Sequence, residues 1–227
     1  MDDRDLQRFD DDDRFHDECG VMAVVNHPEA VALTAIGLSA LQHRGQESAG
    51  IASADGFVVQ SYKDMGKVSD ALTEEAIDHL KGHVASGHVR YSTTGSSNLR
   101  NAQPIHVTTK HGSLAIAHNG NLVNAISLRR EMEADGSIFN TTNDSEVILH
   151  LIARSRQETV DRAAAEALRQ VKGAFSLVLI DKERVMVARD PRGFRPLCLG
   201  RLGDAWVAAS ETCALDIVGA TYEREVE

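Results

Sequence analysis

Residues 19–25 read CGVMAVV, an apolar run that opens on a cysteine and a glycine and follows directly behind a segment crowded with acids. Gly20 to Val25 has the length and the β-branched content of a buried strand. Residues 1–18 hold nine of the chain's 34 acidic residues against three of its 24 basic ones, with little apolar content beyond Leu6, Phe9 and Phe15. Such a segment cannot bury enough surface to offset the entropy of ordering it, so residues 1–18 read as a disordered acidic leader and 19–227 as the folded body. The cysteine therefore stands immediately before the first strand.

Working outward from that strand, β-type runs recur at Gly50 to Ser53, Phe57 to Tyr62, Val84 to Val89, Ile105 to Thr109, Leu114 to Ala117, Phe175 to Ile180, Val185 to Ala188 and Ala205 to Ala208. Helical spacing appears at Leu33, Ile36, Leu38 and Leu41, over Thr73 to Leu80, and over Ser127 to Ala134 before Gly136. It appears again at Val147, Ile148, Leu151 and Ile152, and over Val160 to Val171 before Gly173. Several strands follow one another as hairpins, which argues against a doubly wound parallel sheet. The expectation is an α+β fold of two mainly antiparallel sheets with helices packed outside them.

The 227 residues carry a formal net charge of −10, much of it in the leader, so the body offers no basic face for a phosphate backbone and nucleic-acid binding is disfavoured. No apolar run reaches the length of a membrane span, and the acidic N-terminus is unlike a secretory signal. Three cysteines, Cys19, Cys198 and Cys213, are too scattered for a disulfide framework or a paired metal motif, which suits a reducing, cytoplasmic setting. No dinucleotide fingerprint, P-loop, nucleophile elbow or zincin motif is present, and the spacing of the ten histidines gives no metal set.

What remains are polar, glycine-containing segments at the ends of the expected strands, where sites tend to be built. They are Gln42 to Ser48, Gly87 to Gly95, Ala117 to Leu122 and Thr141 to Glu146. Each has a structural alternative. Asn119-Gly120 suits a tight turn; Asp144 and Glu146 suit a helix N-terminus capped by Asn143; Arg90 suits a surface charge; Cys19 suits a small buried hydrophobe. As a set, however, they fit amide cleavage by a thiol, which needs a base, oxyanion donors and charges to orient a charged substrate. Cleavage between Glu18 and Cys19 would place an α-amine beside the thiol, and its ordinary pKa of about 7.7 to 8.0 makes it a competent base near neutrality. The leader would then be a propeptide that blocks this amine as an amide.

Cys19-Gly20-Val21, Leu41 to Gln46, His88 to Tyr91, His118 to Leu122 and Asp144 to Glu146, in this order, resemble the N-terminal glutaminase domain of the amidophosphoribosyltransferase family. The similarity continues through Arg189 to Leu197 and Ser210 to Thr212. It implies a four-layer αββα sandwich of the N-terminal nucleophile hydrolase type, and hydrolysis of free L-glutamine to supply ammonia for phosphoribosylamine, the first step of purine synthesis. By motif match, the resemblance implies that Cys19 is the nucleophile and that Asn119 and Gly120 form the oxyanion hole. Arg90 and Asp144 would pair with the glutamine α-carboxylate and α-ammonium, Arg44 and Gly45 would support the cysteine, and Thr93 would line the pocket.

The resemblance further implies no cofactor in this domain, with magnesium, and in some members an iron–sulfur cluster, belonging to the full-length enzyme. It implies a phosphoribosyltransferase domain as partner and a homo-oligomer in the full-length form. That second domain is read as absent from these 227 residues, since Val178-Leu179-Ile180-Asp181-Lys182-Glu183 lacks the paired acids and the phosphate-cradling loop. Aminosugar-forming relatives are set apart by Tyr91 after the arginine and Asn121 after the Asn-Gly pair. An unprocessed, inactive binding subunit and an amidase for another amide stay open as alternatives.

Overall fold

The computed structural model describes residues 19–91 and 98–227. The strands are β1 (Gly20–Val25), β2 (Ser48–Ala54), β3 (Val59–Met65), β4 (Val84–Arg90), β5 (Ile105–Thr109), β6 (Gly112–Leu122), β7 (Gly173–Ile180), β8 (Val185–Arg189), β9 (Cys198–Leu202), β10 (Ala205–Ala209) and β11 (Thr221–Glu225). The helices are α1 (Ala30–Ala40), α2 (Val68–Ala71), α3 (Glu74–Asp78), α4 (Ala125–Ala134), α5 (Ser145–Arg154), α6 (Val160–Leu168) and α7 (Thr212–Ile217). All strand pairs among the described residues are antiparallel. One sheet runs β11-β9-β10-β1-β4-β2-β3 and the other β5-β6-β7-β8.

Burial along each strand follows its place in these sheets. The central strands β2 and β4 are buried at every position, because both of their faces are covered. Edge strands β3 and β11 carry charge and are largely exposed, which protects their unpaired sides from further strand addition. On the outer face of the larger sheet, Met22, Val24, Val89 and Val207 pack against Leu38 of α1 and Leu215 of α7. Leu114, Ile116, Leu177 and Leu179 of the smaller sheet pack against Ile148 and Ile152 of α5 and Ala163 of α6. Between the sheets lie Val21, Ala23, Ala52, Ala115, Ala117, Val178 and Ile180. Three apolar layers thus define an αββα sandwich.

The inter-sheet layer changes character along its length. Strand alternation places Ser86, His88 and Arg90 of β4 on the same face as Val84, and Asn119 and Ser176 on the same faces as Ala117 and Val178. All of these are buried. One end of the layer is therefore apolar, and the end where β1 begins is polar.

Several sequence expectations differ in extent from the structure. The strand expected over Leu114 to Ala117 runs on through the polar residues to Leu122, since His118 to Leu122 pair with Gly173 to Leu177 of β7. Thr73 is not inside its helix but caps it, its side chain accepting from Ala76 N. The Val160 helix ends at Leu168, and the chain then turns into β7. Strands β9 and β11 and the short helices α2 and α7 went unanticipated: β11 reads TYERE, with the charge of a loop, and α2 and α7 are too short to show a period.

Candidate active site

Cys19 stands immediately before β1, buried, with its backbone at φ 59°. A residue bearing a Cβ holds that left-handed conformation only where its surroundings fix it. Arg44 supplies the fixing. Cys19 N donates to Arg44 O at 2.9 Å, and Arg44 Nε donates to Cys19 O at 2.7 Å. Arg44 is wholly buried, and its guanidinium pairs with the Glu211 carboxylate, which also meets His43 Nε2 at 3.0 Å. Burial pushes the Glu211 pKa up, but the hydrogen bond and charge of Arg44, with His43, outweigh it and hold the group below its ordinary value.

The Cys19 thiol lies 3.4 Å from Tyr91 O and 3.5 Å from Tyr91 N, at the end of β4. The loop after Arg44 reaches that strand end through Gly45, where a Cβ would lie 2.6 to 2.8 Å from the Arg90 backbone. Arg90 opposes Ser48 in the ladder, and its NH1 is 3.6 Å from Glu47 Oε2. At 3% exposure it is not the surface charge that its sequence context also allowed.

Asn119-Gly120 is likewise not a turn but the middle of a sheet pairing, Asn119 opposite Ser176 and Gly120 opposite Phe175. Gly120 has φ +140°, and a Cβ there would fall 2.0 Å from Ala174 O, so the strand kinks where only glycine is tolerated. The Asn119 side chain is fully buried, yet neither its nitrogen nor its oxygen has a hydrogen-bond partner among the described residues. An amide left in that state costs stability unless something else pairs with it.

Asp144 is the N-cap residue of α5 but makes no capping bond there. Its Oδ2 accepts from Leu122 N at 2.8 Å, and its Oδ1 is 3.5 Å from His118 Nδ1. Burial raises its pKa, whereas His118 and the Leu122 amide lower it by more, so Asp144 is ionised at neutral pH. Glu146, by contrast, serves its own loop by accepting from Asn140 N, Thr141 N and Thr141 Oγ1.

The two groups of residues meet through His88. Its register partner in β1 is Val21, two residues after Cys19, and its Nε2 lies 3.0 Å from the carbonyl of His118, the residue before Asn119. Cys19, Arg44, Gly45 and Arg90 thus border the same polar end of the inter-sheet layer as Asn119, Gly120 and Asp144. Thr93 and the leader, with the Glu18–Cys19 junction, lie outside the described residues. Sequence reasoning gave no individual role to His88, Gln103 or Glu211. Each acts on a residue distant in sequence; His88 lay in the motif His88 to Tyr91 and Glu211 in Ser210-Glu211-Thr212, whereas Gln103 lay in none. Among the described residues no group of three His, Cys, Asp or Glu side chains is placed to hold a metal.

Residues 88–216, more than half of the chain, match the family model described as a glutamine amidotransferase domain. The chain belongs to that family. This glutamine amidotransferase domain is 50% identical over 222 residues to amidophosphoribosyltransferase 3, chloroplastic, of Arabidopsis thaliana, covering 97% of the chain and 42% of that protein. It is 46% identical to the amidophosphoribosyltransferase of Bacillus subtilis, covering 93% of the chain and 45% of the relative. Among solved structures it superposes on the glutamine phosphoribosylpyrophosphate amidotransferase of B. subtilis complexed with ADP and GMP, with a TM-score of 0.88 at 46% identity, over 92% of the chain and 45% of that structure. A structure described as the allosteric regulatory enzyme of purine biosynthesis gives a TM-score of 0.89 at 47% identity, with the same coverage. The sandwich is thus of the N-terminal nucleophile hydrolase type, as the resemblance implied. The chain spans less than half the length of these relatives.

Proposed function

We propose that this glutamine amidotransferase domain hydrolyses free L-glutamine through a thioester on Cys19, as the glutaminase part of an amidophosphoribosyltransferase. Its ammonia would serve phosphoribosylamine synthesis in a separate phosphoribosyltransferase domain. The observation that carries the reading is Asn119, a buried amide without a hydrogen-bond partner among the described residues, beside the Gly120 kink at the end of the layer where Cys19 lies. An oxyanion donor is a group kept unpaired until charge develops in front of it.

In this mechanism the chain begins at Cys19 and its α-amine takes the thiol proton. Sγ bonds to the side-chain amide carbon of glutamine, and the oxyanion that forms is held by Asn119 Nδ2 and the Gly120 N–H. The proton passes to the departing nitrogen, the C–N bond breaks, and ammonia leaves. Water then cleaves the thioester to give glutamate and restore the thiol. Arg90 pairs with the substrate α-carboxylate and Asp144 with its α-ammonium. A peptide-bound glutamine lacks both charges and would leave both partners desolvated and unpaired, which selects the free amino acid.

The other thiols support the choice of nucleophile. Burial, with Glu225 nearby, pushes the Cys198 pKa up to about 11, and burial with Glu211 raises that of Cys213, so both stay protonated at neutral pH. With glutamine as substrate, the processed protein is expected to release glutamate and ammonia, and Cys19→Ala to abolish release. An electrophilic glutamine analogue is expected to modify Cys19 alone. Preferential labelling of Cys198 or Cys213, or full activity in a preparation that still carries residues 1–18, would refute the mechanism.

A further inference from the structure

Strand β5 stops one step short of the site. Its register with β6 pairs Ile105 with Ile116, so continuation would bring Gln103 opposite His118, but β5 begins at Ile105 and no backbone hydrogen bond joins Gln103 to His118. The peptide that leads into Asn119 would then have unpaired groups on that edge. Instead the Gln103 side chain occupies the missing place. His118 N donates to Gln103 Oε1 at 2.8 Å, and Gln103 Nε2 donates to His118 O at 3.4 Å. The backbone N–H can only donate, which fixes the orientation of the carboxamide. His88, held neutral by burial, adds its Nε2 proton to the same carbonyl at 3.0 Å.

The carboxamide is itself braced. Gln103 is buried, and its carbonyl oxygen would lie 2.3 Å from a Cβ on Gly50, so its backbone rests against β2 of the opposite sheet. Two residues earlier, Asn101 Nδ2 donates to Thr142 Oγ1 at 2.8 Å, Thr142 N donates to Asn101 Oδ1 at 3.0 Å, and Asn143 Nδ2 donates to Asn101 O at 3.3 Å. The segment 101–103 therefore ties the loop that carries Asp144 to the strand that carries Asn119.

We infer that Gln103 is a positioning residue for the oxyanion-stabilising pair, its carboxamide standing in for the absent strand and fixing the peptide on which Asn119 and Gly120 are aimed. This rests on the glutaminase reading above. Gln103 touches no reacting atom. Loss of its clamp would leave glutamine binding by Arg90 and Asp144 in place while Asn119 drifts, and a small drift of a catalytic group is costly.

The test is steady-state glutamine hydrolysis by the wild-type chain and by Gln103→Met, which keeps length and apolar bulk but cannot pair with a peptide. kcat is expected to fall about tenfold or more while KM stays within about threefold. Inhibition by the γ-aldehyde analogue of glutamine, whose thiol adduct bears the oxyanion, should weaken in parallel with kcat, whereas inhibition by glutamate should not. Gln103→Asn, a methylene shorter and unable to span both peptide groups, carries the same test should the first variant fail to fold. A lowered melting temperature with unchanged kcat would make Gln103 a structural strut only and overturn the inference. A wild-type chain, processed to Cys19, that neither hydrolyses glutamine nor is labelled at Cys19 would overturn the glutaminase reading beneath it.

Discussion

Asn119 joins two properties that ordinarily conflict, complete burial and an amide without a partner among the described residues. If its role is to wait for an oxyanion, the group is held at the expense of stability, and removing it should separate the two. Asn119→Ala is expected to lower kcat about a hundredfold, the usual loss for one oxyanion donor. Its urea midpoint should equal or exceed that of the wild type, because a desolvated amide is removed with few atoms. A clear loss of stability together with intact kcat would show instead that the amide has a structural partner. At this scale the sequence was legible wherever chemistry is written in consecutive residues, as in His118-Asn119-Gly120-Asn121. Glu211 is different: its tie to Cys19 passes through Arg44, 167 positions away. No local pattern predicts such a pairing.

At the scale of elements, the strands that carry the site are the ones whose ends sequence alone places least well. The expected end of β6 at Ala117 reflects the loss of apolar character, yet cross-strand pairing with β7 carries the strand five residues further. Polar residues at a strand end are paired because the partner strand is there, a fact of tertiary structure rather than propensity. Gly120 is where this pairing is most constrained. Gly120→Ala would combine a positive φ with a clash against the Ala174 carbonyl. It should destabilise the protein by about 3 kcal/mol or more, read as a drop in the urea midpoint, with the loss shared by β6 and β7 in hydrogen exchange. An alanine variant of unchanged stability would mean that the kink is not imposed by the ladder. Strand β1 stands at the other extreme: Gly20–Val25 matches its sequence reading residue for residue, because a strand buried on both faces announces itself in composition.

Across the whole molecule, the inter-sheet layer divides labour along its length, with apolar contacts from Val21 to Ile180 joining the sheets and polar groups filling the end that holds the site. Two mainly antiparallel sheets with helices outside them were legible from hairpin order and from helices flanking apolar runs, and the four-layer αββα order came with the family resemblance, but which face of each strand met the other sheet was not legible, since strands apolar on both faces hide their orientation. His88 is the polar tie across that layer, and it makes stability depend on pH. Burial holds its pKa down to about 3 from an ordinary 6.5, with the positive charges of Arg90 and Lys63 adding to the effect. As pH falls from 6.5 towards 3 the unfolded chain gains a proton at this position that the folded chain refuses. His88 therefore lets stability stand in full above 6.5 and drains it on acidification, by up to about 1.4 kcal/mol per pH unit. His88→Gln retains a donor for the His118 carbonyl but cannot titrate, so its unfolding free energy should fall less steeply between about pH 6.5 and about pH 4 than that of the wild type. Urea unfolding of both proteins across that range decides the matter: parallel profiles would mean that His88 takes up its proton in the folded state as readily as in the unfolded one, and that the layer at the site is wetter than its packing indicates.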